Sequence, residues 1–291
     1  MVFMQQSFTT FSKANRRLIF MLIASHVLWS GVVLGLWATG LVLAVVTPWL
    51  SATFIAVQLF AAVQLLLPAL LLQPEQRSRS FYLFWAGALV LSVWAANQFT
   101  PSGIWMPLLT VFKSALLLLV GTLVGTALAR FVNRLWEIVP VCVVMTLADF
   151  YSWYAGPTAG FAEKIKQYYL APDGPPPLID MVLVKLAFPG SAGLIPMFGL
   201  SDWIMVVFFA VVASRHGVND NLVGTRGETL ARQGQAGRYL PISLVALFAA
   251  VLLAQASGLF IPVLPLIALV MLLWYALRYL LLLRSGGQVS P

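Results

Sequence analysis

Long apolar stretches alternate with short polar ones along the whole chain. Eight apolar runs stand out, at roughly 18–46, 52–72, 81–99, 104–128, 138–155, 195–214, 240–258 and 261–283. About 20 apolar residues suffice for a helix to cross a bilayer, so each run predicts a transmembrane helix. The fourth run contains Lys113 and follows Pro101 and Pro107; a short extra helix there would raise the count to nine. Gly31 with Gly35, and Gly121 with Gly125, place small residues four apart, a spacing that lets helices approach closely. No internal repeat or low-complexity segment interrupts the pattern. The expected fold class is therefore all-α, a polytopic membrane protein with a single membrane domain over 1–291. Within it, N-terminal helices fill 1–137, a helix pair 138–214, a polar loop 215–239 and C-terminal helices 240–283.

Composition agrees: 61% of residues are hydrophobic and 9% charged, against about 25% charged in soluble domains. The net charge of +8 suggests nucleic acid only until it is located. Lys13, Arg16 and Arg17 precede the first run, Arg77 and Arg79 follow the second, and Arg130 and Arg134 follow the fourth. Arg215, Arg226, Arg232 and Arg238 fill loop 215–239, and Arg278 and Arg284 end the last run. The alternate connections 47–51, 100–103 and 259–260 carry no charge; only loop 156–194 mixes Lys164, Lys166 and Lys185 with Glu163, Asp173 and Asp180. Positive charge on alternate loops is a membrane-topology signal and excludes nucleic acid as the partner. It places both termini in the cytoplasm and loop 156–194 outside, in what is expected to be a prokaryotic inner membrane. The first run is too long for the apolar region of a cleavable signal peptide and is read as a retained helix.

A single cysteine, Cys142, rules out a disulfide framework and a CxxC site, and two histidines, His26 and His216, leave little for a metal. Of nine acidic residues, two lie inside apolar runs: Asp149 and Asp202. An ionisable group at that depth costs at least about 2.5 kcal/mol, which calls for a functional reading. Asp149 is six residues from the outer end of its run and Asp202 seven from the start of the next, so both lie roughly 10 Å below the outer surface. If the two antiparallel helices pack together, the carboxyls meet at one level. Two carboxyls in a poorly solvated site do not both ionise easily, leaving one base to activate water and one acid to protonate a carbonyl. His26 has no companion, and Lys113 has no obvious partner in the sequence.

Paired aspartates on successive helices, the second within Gly199-Leu200-Ser201-Asp202, resemble the intramembrane aspartyl proteases, presenilin and signal peptide peptidase. Lys185-Leu186-Ala187-Phe188-Pro189 is similar to the Lys-Leu-x-Phe-Pro run of signal peptide peptidases, and Pro262-Val263-Leu264-Pro265 to the family's Pro-Ala-Leu-Pro. The resemblance covers about 114–283. It implies a presenilin-like helical bundle that hydrolyses peptide bonds within transmembrane segments, with Asp149 and Asp202 catalytic and no cofactor. It further implies that Gly199, Leu200, Ser201, Lys185, Pro262, Val263, Leu264 and Pro265 shape the site or contact substrate. The predicted polarity matches signal peptide peptidase, whose substrates are signal peptide remnants and type II anchors with a cytoplasmic N-terminus. Ala148 stands where the family has tyrosine, and Ser201 where it has glycine.

Other readings of the same residues are a helix-binding relative without activity, a proton-coupled carrier using the two aspartates, and a prepilin-type peptidase. Tyr151, Trp153, Tyr154 and Trp203 are expected in an interfacial aromatic belt, Lys185 as a snorkelling lysine, and 156–180, with Pro172, Pro175, Pro176 and Pro177, as an irregular external connection.

Overall fold

The computed structural model describes residues 2–43, 46–72, 78–99, 103–155, 160, 164–165, 167–169, 176–233, 238–257 and 262–284, with side chains from Leu18 onward except those of 19 and 282–284. Asp173, Arg77, Glu163, Lys166, Pro172 and Pro175 lie outside these residues, as do the side chains of Lys13, Arg16, Arg17 and Arg284.

Nine helices and one hairpin are described: α1 (Val2–Val42), α2 (Pro48–Leu72), α3 (Arg79–Asn97), α4 (Trp105–Ala129), α5 (Ile138–Tyr154), β1 (Leu183–Leu186), β2 (Ile195–Gly199), α6 (Leu200–Arg215), α7 (Gly227–Gln233), α8 (Ile242–Ser257) and α9 (Val263–Arg284). Six of them, α1 to α5 and α9, are long and apolar enough to cross a membrane. The run at 240–258 forms the 16-residue α8. The run at 195–214 corrects the expectation of a helix throughout, because Ile195–Gly199 is a strand and the helix begins only at Leu200. Pro196 explains part of this, since proline disfavours a helical conformation in the residue before it. The fourth run is one unbroken helix, α4, with no extra helix inside it. Pro107 falls in its first turn, where a missing N–H costs nothing.

The centre of the bundle is α6, which is apolar on every side and buried along most of its length from Asp202 to Ala213, as expected of a helix enclosed on all faces. It packs against α2, α4, α8 and α9, while α5 packs chiefly on α9. Two glycines allow the closest of these contacts. A Cβ on Gly125 would lie 2.6 Å from the Ile204 carbonyl oxygen, and one on Gly121 would lie 2.7 Å from Trp203 Cδ1. The other small pair behaves differently: neither Gly31 nor Gly35 has an atom within 4 Å of that position. Lys113 does have a partner, contrary to the sequence reading: its Nζ donates to Asn97 Oδ1 at 2.8 Å, joining α4 to the end of α3.

After α6 the chain forms a compact polar knot. Asn221 donates through Nδ2 to the carbonyls of Val223, Thr225 and Arg238 at 2.8, 2.7 and 3.0 Å, and its Oδ1 accepts from the Leu240 N–H at 2.9 Å. The neighbouring Asp220 is buried and accepts from the Tyr239 hydroxyl at 2.7 Å. Burial pushes its carboxyl up to about 7, against the opposing pull of the Tyr239 hydrogen bond and the Arg278 charge. The Trp274 indole N–H donates to the Asn219 carbonyl at 3.0 Å, tying α9 to the knot.

Gly125→Ala should lower unfolding stability by about 1–3 kcal/mol, the usual cost of overpacking, while Gly31→Ala should be neutral or slightly stabilising. Denaturant unfolding in detergent measures both, and equal effects would refute the close α4–α6 contact. Asp220 also predicts a pH dependence. Its folded carboxyl holds a proton more tightly than an unfolded one near 3.9, so its stabilising contribution is complete below about pH 4 and is lost as pH rises through about 7. Asp220→Asn should therefore reduce the fall in melting temperature between pH 4 and pH 8.

Candidate active site

The site grows from the start of α6. Gly199 is the residue before the helix and Asp202 sits in its first turn, where backbone N–H groups have no intrahelical partner. Asp202 Oδ2 accepts one of them, the Gly199 N–H, at 2.8 Å. The positive end of the helix dipole favours a carboxylate there. Asp202 therefore lies three residues into a helix whose first turn is inside the bundle, not seven residues down a helix from the surface. The adjacent Trp203 is fully buried and its indole N–H donates to Thr122 Oγ1 at 3.1 Å. That corrects its expected place in the interfacial belt: it fixes α6 on α4. Tyr151 and Tyr154, by contrast, are 72% and 85% exposed at the C-terminal end of α5.

Asp149 lies eleven residues beyond Ile138 on α5, and Asp202 thirteen before Arg215 on α6. At 1.5 Å per residue these are about 17 Å from the N-terminal end of α5 and about 20 Å from the C-terminal end of α6. Their charges interact across the gap. The expected extensive α5–α6 packing is not found; the extensive partner of α5 is α9, which in turn packs on α6. The Leu264 backbone N–H, in the first turn of α9, is within hydrogen-bonding reach of the Asp149 carboxylate. Asp149 Oδ2 is buried and has no hydrogen-bond partner.

The other sequence candidates divide into two groups. Gly199, Leu200, Ser201 and the Pro262–Pro265 segment lie beside the aspartates. Pro262 precedes α9, and Pro265 occupies its first turn, where proline forfeits no intrahelical bond and Leu264 keeps a free N–H to offer Asp149. Leu200 reaches toward α4, its Cδ1 3.2 Å from the Cβ position on Gly121. Ser201 is exposed, as is Ala148 on α5, so the side of the dyad between these two residues is not closed by packing. Lys185 belongs to a different cluster. Its Nζ pairs with Asp180 Oδ2 at 2.5 Å and Asp180 Oδ1 accepts from the Tyr169 hydroxyl at 2.9 Å. The lysine, in the middle of β1, is held in this ion pair.

The hairpin itself was not foreseen in the irregular connection. β1 pairs antiparallel with β2, Leu183 opposite Gly199 and Leu186 opposite Ile195, with a bulge after Val184. It is built into the bundle: the Trp37 indole donates to the Ala192 carbonyl at 3.0 Å, the Gly190 N–H to Gly40 at 3.1 Å, and the Lys185 N–H to Ser114 Oγ at 3.1 Å. Gln58, fully buried in α2, accepts from the Ala187 N–H at 2.7 Å and donates to the Ala187 carbonyl at 2.9 Å. A glutamine within an apolar run was the one available signal for this contact, and it named no partner. Comparison with known proteins adds nothing to this geometry: no protein-family model, curated protein or solved structure matches the chain.

Proposed function

We propose that the protein is an intramembrane aspartyl protease of the presenilin and signal peptide peptidase type, cutting transmembrane segments with a cytoplasmic N-terminus. What supports this reading is that Asp149 and Asp202 lie near enough for electrostatic interaction, with the Gly199 N–H on one carboxyl and the Leu264 N–H beside the other. One carboxyl serves as base toward a water and the other as acid toward the scissile carbonyl, the roles exchanging as the bond breaks. The unpartnered Oδ2 of Asp149 is the atom available to hold that water. The open side between Ala148 and Ser201 gives substrate a lateral route from lipid. β2, ending at the residue before α6, offers an extended substrate a strand to pair with close to Asp202.

In this reading eight spans cross the membrane, counting α6 and α8 with the six longer helices, and both termini are cytoplasmic. α5 then runs outward and α6 inward. A chain lying in a fixed direction across the dyad gives N-in segments, such as signal peptide remnants and type II anchors, as substrates.

Asp149→Asn and Asp202→Asn should each abolish cleavage of a model transmembrane peptide by reconstituted protein, a loss of at least about 10³-fold if the pair acts as a unit. The Asp202→Asn protein should remain folded, since an amide oxygen still accepts the Gly199 N–H. Wild-type protein should cleave the N-in version of the peptide faster than its N-out counterpart. Full activity in either variant refutes the dyad, and equal cleavage of the two versions refutes the substrate direction. Ser201 tunes the same site: Ser201→Gly should keep or raise turnover and Ser201→Leu should block it. Equal turnover in all three proteins would show that the exposed side is not the path of the substrate.

A further inference from the structure

We infer that Gln58 is a positioning residue of this site: its carboxamide closes the free edge beside β1 and so holds in place the hairpin that carries Gly199 and Asp202. The inference rests on the protease reading above for its catalytic consequence, though not for its geometry.

A strand has two edges, and backbone groups of residues two apart face the same one. β2 occupies one edge of β1. On the other, the Lys185 N–H donates to Ser114 Oγ at 3.1 Å, and two residues on, Ala187 exchanges two hydrogen bonds with Gln58 at 2.7 and 2.9 Å. The planar amide thus reproduces the paired N–H and C=O contacts that a neighbouring strand would make. The third contact of Gln58, from Nε2 to the Phe54 carbonyl at 2.9 Å, fixes the amide to its own helix. Ala187 and Gln58 are both fully buried, so bulk water does not reach these hydrogen bonds. With this edge sealed by α2 and α4, the outer edge of β2 is the one with no backbone partner among the described residues, an edge on which an extended chain could pair next to Asp202.

The consequence for chemistry follows from connectivity. Ala187 continues β1, β1 is paired to β2, and β2 leads through Gly199 directly into α6. A hairpin that slides on α2 carries the Gly199 N–H, and hence the Asp202 carboxyl, out of line with Asp149. A misplacement of about 1 Å at a reacting centre can cost on the order of 10²-fold in rate.

Hydrogen exchange of the full-length protein in detergent tests the clamp without any substrate. Gln58→Leu keeps the volume and removes both hydrogen bonds, and it should raise exchange across 183–199 while α2, α4 and α6 stay protected. Gln58→Glu should restore protection at pH 5, where a neutral carboxylic acid has one donor and one acceptor, and lose it at pH 8. In the cleavage assay Gln58→Leu should lower kcat about 10²-fold with KM changed less than threefold. Unchanged exchange across 183–199, or a loss spread evenly over all helices, would overturn the inference. Should Gln58→Leu fail to insert, Ser114→Ala decides the matter: faster exchange at Lys185 with intact helices supports the sealed edge, and unchanged exchange refutes it. If the wild-type protein cleaves nothing, the protease reading falls while the exchange pattern still decides whether Gln58 positions the hairpin.

Discussion

Every backbone N–H and C=O at membrane depth needs a partner, because hydrocarbon supplies none. Most of this chain meets that demand by being helical. The segment from Leu183 to Gly199 is not helical and meets it in another way. Its backbone is paired within the hairpin, then to Ser114 on α4, Gln58 on α2 and Gly40 on α1. Three helices of the N-terminal half are thereby committed to holding a strand pair that belongs to the C-terminal half.

That arrangement decides where α6 begins. A helix that started at the membrane surface would bring Asp202 into a mid-helix position, where its carboxylate would find no free N–H. Starting inside the bundle, α6 presents the unpaired N–H groups of its first turn at depth, and Asp202 accepts the one from Gly199. The same logic applies to α9, whose proline-bracketed first turn leaves the Leu264 N–H near Asp149. Each aspartate is thus matched to a helix start, one through its own helix and the other through a neighbour. Of the helices that carry the two acids, α5 is packed extensively by α9, which also contacts α6.

Glycine use shows how packing, and not spacing alone, gives a motif meaning. Gly121 and Gly125 sit where α6 crosses α4, and a methyl group at either would collide with it. Gly31 and Gly35 have the same spacing and meet nothing. The polar knot around Asn221 similarly turns a loop of unremarkable composition into a fixed anchor for α9, through Trp274 and the buried Asp220.

The sequence by itself determined the membrane class, the positions of most helices and the two acids worth watching. These rest on local properties, namely the length of apolar runs and the cost of an ionisable side chain within them. The order of its motifs was also enough to bring Gly199, Leu264 and both aspartates into one hypothesis. It did not determine that 195–199 is extended, that Trp203 is buried, that Lys113 is bonded to Asn97, or that Lys185 is paired with Asp180. Nor could it assign Gln58, whose partner Ala187 lies 129 residues away. Only the tertiary structure decided these, because each depends on which backbone group needs a hydrogen bond once the helices have closed around it, and that need does not exist in the unfolded chain.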